Sequence, residues 1–157
     1  MPETEEELYE DLYVSGIVDS KGEFRVEVSK SEQAAQGYRI TPKFMLHTDR
    51  ALLVQFLDDW FLNRGIFANI EERDKSAYRI SIKRNEHIER MIDVLSPHLI
   101  ATADDARKVF EIILPNLEEA LSDKEVFIEL VEVIETMDSF NPQRKYDSEY
   151  FRDEWDL

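Results

Sequence analysis

In the stretch Tyr13-Val14-Ser15-Gly16-Ile17-Val18-Asp19-Ser20-Lys21-Gly22-Glu23-Phe24, two carboxylates flank a lysine. Carboxylate oxygens are the hard donors that Mg2+ or Ca2+ requires, so Asp19 and Glu23 are weak candidates for a metal-dependent reaction. Lys21 opposes it. An ammonium has three donors, no acceptor and the wrong charge for a cation, and it suits a phosphate instead. Other reactive groups are sparse. His47, His87 and His98 lack ligand spacing and read as surface or packed side chains. The chain has no cysteine, which excludes disulfides and thiolate metal sites. No phosphate-cradling glycine loop, nucleophile triad or poised acid pair is present. The residues assign no metal and no cofactor.

A second set of residues points to binding rather than catalysis. In the run 24–30, Phe24, Val26 and Val28 alternate with Arg25, Glu27 and Ser29. In 38–47, Tyr38, Ile40, Phe44 and Leu46 alternate with Arg39, Thr41, Lys43, Met45 and His47. In 78–83, Tyr78, Ile80 and Ile82 alternate with Arg79, Ser81 and Lys83, and Asn69 and Glu71 are the outward pair of the run before it. Period-two alternation puts each set on one face of a strand. The outer face then holds five bases (Arg25, Arg39, Lys43, Arg79, Lys83) against two acids (Glu27, Glu71). The rest is acidic: residues 1–19 carry seven acids and no base, and residues 85–157 carry 19 acids and seven bases. A two-stranded ribbon fits the DNA major groove, where Arg, Lys, Ser, Thr, Asn and His can reach base edges.

The elements that must position these groups follow from periodicity and caps. Thr4 with Glu7 has the capping-box form, so a helix starts near residue 5 and runs to about Asp19. Two hairpins follow, separated by a helix. "SEQAAQG" joins the first pair of strands, and Asp74-Lys75 joins the second. Thr48 is the expected N-cap of the intervening helix, whose Leu52, Leu53, Phe56, Leu57, Trp60 and Phe61 fall at helical spacing, with Gly65 at the C-cap position. Helices are expected at 85–95, from Thr102 and Asp105 with an interruption at Pro115, and from Ser122 and Glu125 to about Met137. The fold class is α+β, in the order α-β-β-α-β-β-α with further C-terminal helices. Residues 1–138 are expected to form one domain. Residues 139–157 form an acidic, aromatic tail, expected either to be flexible or to dock through Tyr146, Tyr150, Phe151 and Trp155.

Mid-helix glycine costs about 1 kcal/mol against alanine. Gly16, flanked by Ser15 and four residues from Ser20, is therefore expected to lie where another backbone approaches closely. A net charge of −16 on 157 residues is best tolerated where salt screens it, which suits a halophile's cytoplasm. No run of apolar residues is long enough to span a membrane, and the acidic N-terminus does not read as a secretory leader.

The stretch Val14–Gly22 resembles the nine-residue motif of the LAGLIDADG homing endonucleases in length, in both glycines and in Asp19. "GYRITPKF", "HTDRALL" and "LSPHL" are similar to phrases of that family, and the likeness runs over residues 6–121. The resemblance implies a saddle of four antiparallel strands over double-stranded DNA. It also implies a homodimer seamed by two motif helices through Leu12, Ser15, Gly16, Asp19 and Ser20, reading a near-palindromic site. In the family, an acid at the motif's eighth position binds the catalytic metal. That position is Lys21. His47 stands where a glutamine is common, and Thr102 near a place often held by lysine.

These readings lead to a homodimeric double-stranded DNA-binding protein that has kept the architecture and lost the nuclease, in the manner of a transcriptional regulator. Its DNA contacts are expected from Arg25, Ser29, Arg39, Thr41, Lys43, His47, Asn69, Arg79, Ser81 and Lys83. Two alternatives stand beside it. One is an active endonuclease using Mg2+ through Asp19 or Glu23. The other is a protein-interaction module, binding a partner through the saddle or the tail without DNA.

Overall fold

The computed structural model describes residues 4–74, 77–142 and 144–157, so Lys75 of the expected second turn lies outside it. Thr4 caps the first helix through its Oγ1, which accepts the Glu7 N–H at 3.1 Å. That helix, α1, runs Glu5–Lys21, two residues past its expected end. It stops because the chain turns directly into β1 at Gly22. A Cβ there would stand 2.8 Å from the Phe44 ring and 2.9 Å from the Val18 carbonyl, so no larger residue fits.

Strands β1 (Gly22–Lys30), β2 (Tyr38–Thr48), β3 (Asn69–Asp74) and β4 (Ala77–Ile82) form one antiparallel sheet in the order β1-β2-β4-β3. Phe24, Val26, Val28, Ile40, Phe44, Leu46, Ile80 and Ile82 are buried on one face, against which α1 and the helices over 51–63 and 85–95 pack. Pro42 is tolerated in a central strand for a geometric reason. The Val26 carbonyl turns away from β2 to accept from Arg144, so the Val26–Pro42 pair is a non-hydrogen-bonded one. The missing N–H of Pro42 therefore falls on the side where β4 has already ended at Ile82, opposite Phe44.

Helix α2 spans Ala51–Asn63. Thr48 is not its N-cap, as expected, but the last residue of β2. The Thr48 hydroxyl accepts the Arg50 N–H at 3.2 Å, and Arg50 holds the cap position without a side-chain bond. Gly65 follows the helix with φ +71°, as its place in the sequence implies. A charged group the sequence reading passed over ties α1 to α2. Asp11, 1% exposed, accepts from the Trp60 indole N–H at 3.0 Å and is ion-paired with Arg64, which also reaches Glu7.

Helix α3 spans Asn85–Leu95 and buries Ile88, Met91, Ile92 and Leu95. The next expected helix is continuous in path but not in hydrogen bonding: α4 (Ala103–Lys108), a π-helical turn over Val109–Ile113, and α5 (Leu114–Ala120). The widened turn lets the chain pass Pro115, whose ring would otherwise meet the carbonyl four residues earlier. Thr102 and Asp105 do not cap this helix by a reciprocal bond. Thr102 turns to Asp19, and Asp105 accepts the N–H groups of Asp138 and Ser139 at 3.0 and 3.3 Å. Helix α6 (Lys124–Glu135) is capped by Asp123 rather than Ser122.

The tail docks through its aromatics and forms a helix that the sequence reading missed, α7 (Ser148–Trp155), capped by Asp147. Phe151 is fully buried, with its ring 4.9 Å from Tyr38 and 5.0 Å from Phe127. The Tyr38 and Tyr150 hydroxyls share a 2.6 Å hydrogen bond, and that bond with burial raises the Tyr38 pKa above the usual phenol range. The Ser139 hydroxyl donates to Phe24 O at 2.7 Å and Arg144 to Val26 O at 3.2 Å, so the tail covers the free edge of β1. Among the described residues no helix is long and apolar enough to cross a membrane.

Candidate nucleic-acid interface

The second face of the sheet is open. Arg25, Ser29, Arg39, His47 and Asn69 are exposed on it, and Thr41, Lys43, Met45 and Arg79 are half-buried. Lys83 is exposed one residue beyond the end of β4, beside Arg39 and Thr41 in a cleft against α5. Ser81 departs from the expectation. It lies in register between Met45 and Asn69 and is 3% exposed, so its hydroxyl is covered by its neighbours and not offered to a ligand.

The face is less positive than alternation alone implied. Glu23 stands on it too, two residues before Arg25, and bonds to that guanidinium at 2.9 Å. Lys43 is paired with Glu27 at 2.8 Å, and Arg79 with Glu71 at 2.9 Å. Arg73 joins from β3, 3.5 Å from Glu71. Among the described residues Arg39, Lys83 and Lys21 make no ion pair. The result is a lattice of alternating charge with three unpaired bases.

At the end of α1, the groups that a metal would need are committed elsewhere. Asp19 accepts the Ile100 N–H at 2.8 Å, the Thr102 N–H at 2.9 Å and the Thr102 hydroxyl at 2.8 Å. Burial pushes its carboxyl up, but the Thr102 and Ile100 donors outweigh that and hold it below the ordinary aspartate range. Glu23 is bound to Arg25, and Lys21 is a cation. The residues present therefore do not fit a divalent metal. Among the described residues, no three or more His, Asp or Glu side chains come together as a cation site would require.

The exposed face of α1 only partly matches the expected seam. Tyr9, Leu12 and Tyr13 are 60%, 45% and 58% exposed, with Gly16 and Ser20 on the same side. A Cβ on Gly16 would meet nothing within 4 Å, so nothing in this chain requires glycine there. Ser15 faces inward, 1% exposed, and donates to Asp11 O at 2.7 Å. Asp19 is turned to the Ile100–Thr102 turn. Neither sits on the exposed stripe.

No protein-family model and no curated sequence matches the chain. Solved structures do. The chain superposes on the homing endonuclease I-CvuI, solved in complex with a DNA target, with a TM-score of 0.81 at 15% identity, over 96% of this chain and 94% of that one. It superposes on the homing endonuclease I-TnaI with a TM-score of 0.75 at 24% identity, over 92% and 96%. The LAGLIDADG homing endonuclease I-LtrWI, bound to its target DNA, gives 0.72 at 20% identity over 87% of this chain and 47% of that chain. With its four-stranded sheet, its helices on one face and a motif helix leading into β1, the chain has the fold of the LAGLIDADG homing endonucleases.

Proposed function

We propose that the protein is a homodimeric double-stranded DNA-binding protein that reads a near-palindromic site without cutting it, and that it acts as a transcriptional regulator. The observation that carries this reading is the open sheet face. It is a four-stranded surface with seven bases on or beside it, in a molecule of net charge −16, on a fold whose solved examples include DNA complexes. Arg25, Arg39 and Lys43 are the base-edge readers, and Lys21, Arg79 and Lys83 supply backbone contacts. The exposed apolar stripe of α1, with a glycine that its own chain does not need, supports a seam between two copies. Loss of cleavage rests on Lys21 at the motif's acid position and on the commitment of Asp19 and Glu23 to other partners.

Selection from a random double-stranded DNA library at high salt with Mg2+ present, sequencing intact and cut molecules, tests DNA binding, the two-fold site and the loss of cleavage together. The expected result is an enriched palindrome recovered intact. The same palindrome recovered cut would refute the loss of the nuclease, and no enrichment would refute DNA binding. Alanine at Arg25, Arg39, Lys43 or Arg79 should cost about 1–3 kcal/mol of affinity. Four variants that bind like wild type at matched salt would show that the sheet face is not the interface.

A further inference from the structure

The groups at the foot of α1 form a line across the sheet. Lys21 immediately precedes Gly22, which pairs with Leu46, so it falls beside His47. His47 pairs with Arg79 on β4, and Arg79 with Glu71 on β3. Adjacent strands are about 4.8 Å apart, so these side chains stand in one row. Arg73 is brought into the same place by the irregular register between Glu72 and Asp74. Lys21, His47, Arg73 and Arg79 line one open cleft of about 420 Å3, and Asp49 is the acid on its wall.

The charges in this cleft do not cancel. Arg73 and Arg79 share a single carboxylate, Glu71. Asp49 leans toward Arg50 at 3.7 Å. Lys21 is exposed and has no acid partner among the described residues, and the Arg79 guanidinium meets Glu71 through Nη2 while its Nε is buried without an acceptor. An unpaired ammonium, a partly satisfied guanidinium and an imidazole converging on an open space are complementary to a tetrahedral oxyanion. A divalent cation would meet Lys21, Arg73 and Arg79 there against the single carboxylate of Asp49.

Resting on the reading of the protein as a DNA-binding one, we propose that this cleft binds a DNA backbone phosphodiester directly, through Lys21 with Arg79 and His47 as further donors. It does so without a divalent ion. In a two-fold dimer, one such phosphate is held per half-site, beside the seam. The site fixes the register of the duplex on the saddle, while the readers along β1 and β2 carry the sequence preference.

The test uses the selected duplex with single methylphosphonates, which remove one backbone charge at a time, scanned through its centre. Wild type should lose affinity on the order of tenfold at one phosphate per half-site, the scale of a charge-assisted hydrogen bond. In Lys21→Ala that neutral phosphate should have no further effect, Lys21→Arg should restore the sensitivity, and affinity should be equal in EDTA and in Mg2+. Lys21 is exposed, so Lys21→Ala should fold, and thermal melting checks it. A Lys21→Ala variant that binds like wild type, or stays fully sensitive to the methylphosphonate, would overturn the site while leaving DNA binding intact. If no duplex is selected, the DNA reading fails. The anion site is then judged by NMR titration of the Lys21 and His47 side chains with inorganic phosphate against chloride at matched ionic strength. Shifts that vanish in Lys21→Ala uphold it, and their absence in wild type overturns it.

Discussion

Two glycines six residues apart have opposite relations to their surroundings, and substitution separates them. A Cβ on Gly22 meets the Phe44 ring and the Val18 carbonyl inside 3 Å. Gly22→Ala should therefore destabilise the fold by about 1–3 kcal/mol, as overpacking against backbone does. A Cβ on Gly16 meets nothing, so Gly16→Ala should stabilise the isolated protomer by roughly 0.5–1 kcal/mol, the helix propensity gain. Urea unfolding of both variants at a protein concentration below dimerisation measures the pair. Gly16→Leu should leave a folded monomer, and sedimentation of that variant as a dimer would place the seam elsewhere. Asp19 gives a pH-dependent counterpart. Its folded pKa is held low by the Thr102 and Ile100 donors, against the upward push of burial. The stabilisation from that carboxylate is complete above the pKa of a free aspartate, about 3.9, and is lost as pH falls through the lower folded value. Asp105 has the opposite sign, because burial raises its pKa despite the Asp138 and Ser139 N–H groups, so the two partly cancel in the total. The difference between wild type and Asp19→Asn isolates the first. It should be constant from pH 7 to about 5 and shrink below pH 4, and urea midpoints across that range would show it.

At the scale of elements, the strands were legible and the helices less so. Alternation with period two assigned the inner and outer faces of β1, β2 and β4 correctly, because one face is buried and a one-residue slip would reverse every side chain. The rotation of α1 could not be read the same way. The apolar Leu12 and Tyr13 are exposed while the polar Asp11 and Ser15 are buried, because this helix is apolar on the side it turns to solvent as well. The signal for Asp11 was present. It lies three and seven residues before Val14 and Val18, on the buried stripe, where a carboxylate must have a partner. Removing it in Asp11→Ala leaves the Trp60 indole N–H without its acceptor and the Arg64 guanidinium, with 15% of its side chain exposed, with Glu7 alone, at an expected cost of about 3 kcal/mol in urea unfolding. Helix α7 was illegible because its eight residues have little intrinsic helicity and depend on aromatic contacts from Tyr38 and Phe127, far away in sequence. Those contacts make a prediction. Phe151→Ala should cost about 3–5 kcal/mol in a single cooperative transition, since its ring belongs to the same core as β2 and α6. Deleting residues 139–157 should in addition expose the Phe24 and Val26 carbonyls on the β1 edge and promote self-association, visible by sedimentation.

For the whole molecule, the proposed DNA binding requires a chain of net charge −16 to hold a polyanion. The distribution of charge is part of the answer, since residues 85–157 alone carry 19 acids against seven bases, while the outward positions of the strands hold more bases than acids. The pairing on that face is the other part. Surface ion pairs such as Lys43–Glu27, Arg25–Glu23 and Arg79–Glu71 are worth little individually, so each base can exchange its carboxylate for a phosphate or a base edge at small cost. When it does, the freed carboxylate gathers a cation of its own, which offsets the one released from the DNA. Only Lys21, Arg39, Lys83 and one of the two guanidiniums that share Glu71 then contribute fully to counterion release. The slope of log K against log salt should be about −3.6 per protomer rather than the roughly −6 that seven free bases would give. Replacing Glu23, Glu27 and Glu71 together by glutamine removes the compensation. The triple variant should bind more tightly at low salt, with a slope approaching −6, and converge on wild type at molar salt, where the Debye length is only about 3 Å. Fluorescence anisotropy of the selected duplex across a potassium chloride series decides the matter. A wild-type slope already near −6 and unchanged in the triple variant would mean that these carboxylates do not moderate DNA binding. The shallower slope, steepened by the glutamines, would identify the acids of the saddle as what makes its affinity fall less steeply as salt rises.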